Sequence, residues 1–318
     1  MNRVFLALAG GLALSAAACS SPPAAPPVPP PTSPPTAHSS AAPTAHSSPA
    51  SAPRGRAAAA WQGQFTGYGD SAWRSAWGYL DQGSFGQAQL SAVGNAAAPG
   101  SGLALRVFYG QGSSANSCSN CANAGGAQFY TSLAAMGKAR LALVPVLYLR
   151  YYLKFPAGFD FGKGGKLPGL YGGPVGAESG GHHGAGFSTR YMWRDHEVTG
   201  SVSGCSRSAP CAEVYLYSPQ SSHGYGQDLG GQWQWQGDGR WHMVEQRVDR
   251  TTGDITVWYD GSQVLSEPGV LGDSAGIPFA GVMFSTFFGG HDTSWGPSQS
   301  EYAYFADFAV GTRYIGPH

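Results

Sequence analysis

The chain has 318 residues, with 18 Lys and Arg balanced by 18 Asp and Glu, so its formal charge is zero and no global field favours nucleic acid or an anionic surface. Affinity for an acidic polymer must then come from a local cluster of Lys and Arg. Charged residues are only 11% of the chain, while aromatics reach 13% and glycines number 48, a balance suited to short strands, tight turns and a carbohydrate-facing surface.

At the N-terminus, Arg3 precedes an apolar run from Val4 to Ala18. One cation before a hydrophobic segment too short to span a bilayer stably reads as a secretory signal, placing the mature protein outside the cytoplasm. The run ends at Ala16-Ala17-Ala18-Cys19, which allows cleavage after the small residues or, the reading adopted, lipid attachment at Cys19 as in bacterial lipoproteins. Residues 1–19 are thus the signal, and the only expected tie to a membrane is that lipid. Residues 20–60 are mostly Pro, Ala, Ser and Thr, with Pro-Thr-Ala-His-Ser-Ser at Pro35–Ser40 repeated at Pro43–Ser48. Such a segment cannot bury a core; it forms an extended, solvated tether or plain low-complexity filler. Residues 61–318 are long enough for one all-β domain.

Within that domain, period-two alternation marks strands at Leu103–Tyr109, Leu147–Phe155, Trp241–Val248, Ile255–Tyr259 and Tyr302–Val310. The cleanest places Leu147, Leu149, Tyr151, Leu153 and Phe155 on one face and Tyr148, Arg150, Tyr152 and Lys154 on the other. Asp260-Gly261 supplies a hairpin turn before Val264-Leu265. No long stretch has helical periodicity. The expected fold is an antiparallel β-sandwich of jelly-roll type, whose sheet face can form a groove for a polymer. Two close cysteine pairs, Cys118/Cys121 and Cys205/Cys211, predict one local disulfide each in an oxidising compartment. A four-cysteine zinc site is the rival, with poor spacing in its second half.

Three segments carry candidate chemistry. Gly162-Lys163-Gly164-Gly165-Lys166-Leu167-Pro168-Gly169 lets backbone approach a ligand, and Leu167 after Lys166 excludes a phosphate loop. A plain surface loop with solvated lysines fits as well. In Phe187–Trp193, strand geometry projects Ser188 and Arg190 together, opposite Phe187, Thr189 and Tyr191. In Glu213–Tyr217, Val214 and Leu216 enter the core and leave Tyr215 and Tyr217 side by side, as a sugar-stacking pair, an acid/base pair, or simple cross-strand packing.

Together, a lysine, an arginine, a serine and two tyrosines suit β-elimination of a uronate. The carboxylate beside the scissile C–H must be neutralised, here by Arg190 with Ser188, before a Tyr, His or Lys can take the proton. Hydrolysis needs two carboxylates across the bond, and the Glu-x-Asp-x-x-Glu ladder of one large jelly-roll glycosidase class is absent. Glu178, Glu197 and Glu213 form no such ladder. The irregular spacing of His182-His183, His196 and His223 predicts no metal site.

From Tyr148 to Tyr217 the chain resembles polysaccharide lyase family 14, the alginate and glucuronan lyases. The resemblance rests on Tyr152-Leu153-Lys154-Phe155-Pro156-x-Gly158-Phe159-Asp160, Gly164–Gly173, Phe187–Trp193 and Glu213–Tyr217. It continues in Phe284–Gly290, Trp295 and Tyr302-x-Tyr304-Phe305-x-Asp307-Phe308. It implies a jelly roll and a site built on Lys166, Ser188, Arg190, Tyr215 and Tyr217, with His182 near the substrate. Arg190 would bind the carboxylate, Lys166 and Tyr215 would be the acid/base residues, and Tyr217 and Ser188 would support them. Lys163, Tyr171, Tyr152 and Arg150 are the expected substrate contacts. The expected partner is an acidic polysaccharide, with no cofactor needed for catalysis and a structural calcium left open. The hairpin between Arg190 and Tyr215 is longer than the family's and holds Cys205 and Cys211, which places it as a shaper or cap of one groove end. A non-catalytic carbohydrate-binding lipoprotein and a glycoside hydrolase are the competing readings.

Overall fold

A computed structural model describes residues 57–65, 72–95, 97–177, 185–195, 205–221 and 225–318. In chain order the first strands are β1 (Trp61–Gly63), β2 (Tyr79–Phe85), β3 (Leu90–Gly94), β4 (Leu103–Tyr109), β5 (Ala127–Thr131) and β6 (Val146–Lys154). Next come β7 (Gly164–Leu167), β8 (Gly169–Gly172), β9 (Phe187–Arg194), β10 (Cys211–Tyr217) and β11 (Gln227–Gln234). The last are β12 (His242–Asp249), β13 (Ile255–Tyr259), β14 (Ser262–Glu267), β15 (Phe279–Thr286) and β16 (Glu301–Gly311). A single helical turn and a half, α1 (Ala72–Ala76), buries Trp73. No described helix is long and apolar enough to cross a membrane.

The strands form two antiparallel sheets. The back sheet runs β14-β13-β12-β6-β16-β4-β3 with β1 on β16, and the front sheet runs β11-β10-β9-β8-β15-β5-β2 with β7 on β9. This is the sandwich that the alternation predicts. Leu147, Leu149, Tyr151 and Leu153 of β6 point into one core with Phe187, Tyr191, Val214 and Leu216 of the front sheet. Aromatic pairs join the layers, among them Phe284 with Phe305 at 5.2 Å and Tyr151 with Tyr191 at 6.3 Å between ring centres. Such pairs add about 0.5–1.5 kcal/mol each to the burial of their area. A buried hydrogen bond from Thr189 to the Gln246 side chain also crosses the core. Asp260 (φ 48°) and Gly261 (φ 81°) make the hairpin turn from β13 to β14, both in the left-handed region that a two-residue hairpin loop requires.

The other face of β6 departs from expectation. Arg150 and Tyr152 belong to the back sheet, on the far side of the sandwich from the front-sheet groove. Arg150 is buried and ion-paired to Asp307 at 2.7 Å, and the Tyr152 hydroxyl accepts the His318 backbone N–H at 3.0 Å. The segment around Ile315 covers them, its N–H groups at Ile315 and Gly316 donating to Glu245 at 2.7 and 2.8 Å. Both residues are structural here and reach no substrate in the groove. Both expected disulfides, Cys118–Cys121 and Cys205–Cys211, are present.

Candidate active site

The glycine-rich segment is not a loop but two short strands, β7 and β8, hinged at Pro168. Gly165 has no room for a side chain, because a Cβ there would enter the Trp193 ring, and Gly169 lies against the Arg190 backbone. From the back sheet, the Tyr151 hydroxyl donates to the Pro168 carbonyl at 3.1 Å and fixes the hinge. Lys166 therefore stands at a set height beside β9, opposite Met192 in register.

Register assembles the rest. On the outer face of the front sheet, Arg190 of β9 faces Tyr215 of β10, Ser188 faces Tyr217, and Tyr215 in turn faces Asp228 of β11. The Lys166 Nζ lies 3.8 Å from the centre of the Tyr215 ring and 3.2 Å from the Met192 sulfur. The Arg190 guanidinium sits 5.5 Å from the Tyr217 ring centre and donates from Nη1 to Ser285 Oγ at 3.2 Å. The Ser285 hydroxyl in turn donates to Gln128 Oε1 at 3.1 Å. Among the described residues no carboxylate pairs with Arg190, and its Nε is buried without a partner. Arg194, by contrast, is bound to Glu213 at 2.9 Å and Asp228 at 3.1 Å. Lys166, Arg190, Met192, Arg194, Tyr215, Tyr217 and Asp228 line an open groove of about 730 Å³ whose far walls include Asn116, His291 and Trp295.

Burial holds the Lys166 amine well below the usual lysine range, helped by the Arg190 and Arg194 cations and opposed by Asp228 and Glu213. Burial pushes the Tyr215 phenol up, as do its Tyr217 neighbour and their hydrogen bond, against the Gly226 N–H that donates to it at 3.0 Å. Burial, with Asp228 beside it, raises the Glu213 carboxyl above its ordinary range despite Arg194. The groove thus sets an amine biased toward its neutral form next to a phenol biased toward keeping its proton.

The structure brings Lys166, Arg190, Tyr215 and Tyr217 together and separates the others. Ser188 is fully buried in register between Tyr171 of β8 and Tyr217, too short to reach the groove, and Ser285 takes the place beside Arg190. Tyr171 is also buried, packed on Tyr130 and donating to the Thr131 carbonyl at 2.9 Å. Lys163 precedes β7 and is not among the side chains that line the groove; its Nζ lies 3.3 Å from Ser294 Oγ. His182 lies outside the described residues, as do Glu178, His183, His196, Glu197 and His223. The described part of the cysteine hairpin does not cap the groove; Arg207 ties it to Asp160 at 3.0 Å. Arg194, Asp228 and Ser285 are the additions. Arg194 lies on the same alternating face of β9 as Ser188, Arg190 and Met192, whereas Asp228 and Ser285 come from other strands. Among the described residues no three His, Cys, Asp or Glu side chains gather as metal ligands.

The molecule is thus an antiparallel sandwich that carries a lysine, an arginine and two tyrosines in an open groove of one sheet. The family description Polysaccharide lyase 14 matches residues 97–308, and the chain belongs to that family. It is a carbon–oxygen lyase acting on polysaccharides. The marine PL-14 alginate lyase from Aplysia kurodai is 27% identical, with 81% of this chain and 100% of that one covered and a TM-score of 0.61. The alginate lyase vAL-1 from Chlorella virus shares the fold at 18% identity and a TM-score of 0.51, covering 72% of this chain and 95% of that one. Alginate lyase Aly36B shares it at 19% identity and a TM-score of 0.51, covering 74% and 88%. No curated protein matches the chain.

Proposed function

We propose that the enzyme cleaves a polyuronate of the alginate or glucuronan kind by β-elimination, with Arg190 holding the carboxylate of the sugar whose proton is removed. The observation that carries this is Arg190 itself: a buried guanidinium, with no carboxylate partner among the described residues, beside a lysine of depressed basicity. A buried cation without a counter-charge is costly unless a ligand supplies one. In the bound complex that ligand is the uronate, and the pair neutralises the charge that otherwise opposes carbanion formation.

The Lys166 amine takes the proton from C5. The electron pair left behind forms the C4–C5 double bond, and the C4–O bond breaks. Tyr215 gives its proton to the departing glycosidic oxygen, and the ammonium and phenolate exchange a proton, directly or through water, to reset the site. Tyr217 orients Tyr215 through their hydrogen bond and packs on Arg190. This assignment calls on no cofactor. The alginate substrates of the similar lyases support the substrate class. A hydrolase is disfavoured because, among the described residues, Asp228 is the carboxylate that lines the groove and Arg194 holds it together with the buried Glu213. We also propose an exported enzyme, anchored through Cys19 and held off the membrane by residues 20–60, with which the two disulfides agree.

The test is incubation of the purified enzyme with mannuronate-rich alginate, guluronate-rich alginate and glucuronan. Ultraviolet absorbance from an unsaturated product should grow on at least one, and Lys166→Ala and Arg190→Ala should abolish it while keeping the native circular dichroism. Binding without turnover on all three, unaffected by Tyr215→Phe, would instead establish the binding-protein reading.

A further inference from the structure

The back sheet carries a second set of aromatic and cationic side chains that the active site does not use. In register across its outer face, Lys154 of β6 stands next to Tyr304 of β16, which stands next to Arg106 of β4. Tyr302 pairs with Phe108 in the following row, their rings 5.3 Å apart. Trp241, just before β12, closes one end. The Lys154 Nζ lies 4.9 Å from the Tyr304 ring centre and 5.2 Å from that of Trp241, and the Arg106 guanidinium lies 4.7 Å from that of Tyr302.

Two features separate this patch from ordinary sheet surface. Tyr302 is one of very few large apolar side chains that the described domain exposes, and the rings beside it are only half-buried. Neither Lys154 nor Arg106 has a carboxylate partner among the described residues, although Arg150, four residues before Lys154 on the same strand face, is paired to Asp307. Burial without a counter-charge lowers the Lys154 amine from its usual range, a penalty that an incoming carboxylate would relieve. With strands roughly 4.8 Å apart, the two cations emerge on the order of 10 Å from one another, with an aromatic ring between them and another at the edge. Aromatic faces take the apolar faces of sugar rings, and unpaired cations take carboxylates.

We infer that this outer face of the back sheet, centred on Lys154, Tyr304, Arg106 and Tyr302, is a second binding site for a carboxylated polysaccharide, separate from the groove. It rests on the polyuronate reading of the substrate, and charge complementarity selects an anionic over a neutral glycan. Its role is to hold the enzyme on polymer while the groove on the opposite sheet cuts.

The experiment measures retention of the full chain by immobilised alginate, with an immobilised neutral glucan as control. Lys166→Ala/Arg190→Ala disables the groove; its remaining affinity for alginate, absent on glucan and weakened by salt, belongs to the back sheet. Adding Lys154→Ala and Arg106→Ala should weaken that affinity on the order of tenfold, and adding Tyr302→Ala instead should weaken it less. On a wild-type groove, Lys154→Ala/Arg106→Ala should turn over short oligouronides at the wild-type rate, which also reports correct folding. Loss of all retention in the groove-disabled protein, or retention that the back-sheet substitutions leave unchanged, would overturn the second site. Failure of the wild-type enzyme to release unsaturated product is a separate readout and strikes the substrate reading instead.

Discussion

Arg190 gives the sharpest prediction because its two roles pull in opposite directions. Its guanidinium is 2% exposed, hydrogen-bonded to Ser285 and packed on Tyr217, with no carboxylate to balance it among the described residues. Burial of such an ion costs several kcal/mol. The Ser285 bond returns about 1.5–3 kcal/mol and the Tyr217 ring about 0.5–2 kcal/mol. A net penalty of about 1–3 kcal/mol therefore remains in the unliganded enzyme. Arg190→Met keeps much of the volume and removes the charge, and Ser285 still donates to Gln128, so no buried donor is orphaned. The variant should melt roughly 2–12 °C higher than wild type in differential scanning fluorimetry, at about 2–4 °C per kcal/mol for a domain of this size. Its kcat/KM on polyuronate should fall about 10²–10³-fold, the usual cost of deleting one preorganised donor to developing charge. A lowered melting temperature, or activity within a few fold of wild type, would refute the placement of Arg190 as a counter-charge waiting for substrate.

The base assignment predicts that kcat/KM rises with pH through a Lys166 pKa below the ordinary lysine value, because only the neutral amine accepts the proton. Arg194→Gln removes a neighbouring cation and frees Glu213 and Asp228 to act on Lys166, so the limb should move to higher pH; Asp228→Asn should move it to lower pH. Tyr215→Phe should lower kcat about 10²–10⁴-fold with little change in KM, measured at saturating substrate, since the phenol gives up its proton only in the transition state. Gly165→Ala should cost about 1–3 kcal/mol in urea denaturation, because its Cβ has no space beside Trp193. Chelation with EDTA should leave initial rates unchanged if side chains alone carry the reaction, and loss of activity that calcium restores would show a metal in the working enzyme.

What the sequence made legible follows from the range of each signal. Alternation is local, so β6, β9 and β10 could be drawn with their inward and outward residues separated, and Arg190, Tyr215 and Tyr217 fell on one face together. Alternation does not say which sheet a strand joins. Arg150 and Tyr152 alternate as cleanly as Arg190, yet β6 belongs to the back sheet and its outward face looks away from the groove. Nor does it give reach: Ser188 shares the Arg190 face but ends below the tyrosines on either side of it. Asp228, Ser285 and Gln128 come to the site on strands far apart in the chain, and their contribution appears only once β10–β11 and β15–β5 are paired. Lys166 stood in a glycine-rich segment that reads as loop, because its strand character comes from fitting beside Trp193 and not from any propensity of its own.

Elimination and hydrolysis differ in where water goes, which gives the most direct test of the chemistry. Digestion of the preferred polyuronate in water carrying heavy oxygen, followed by mass spectrometry of the oligosaccharides before slow exchange sets in, distinguishes them. The account predicts non-reducing ends lighter by one water than hydrolytic ends, and no heavy oxygen gained on cleavage. Saturated non-reducing ends, with one labelled oxygen per cut at the new reducing end, would contradict it.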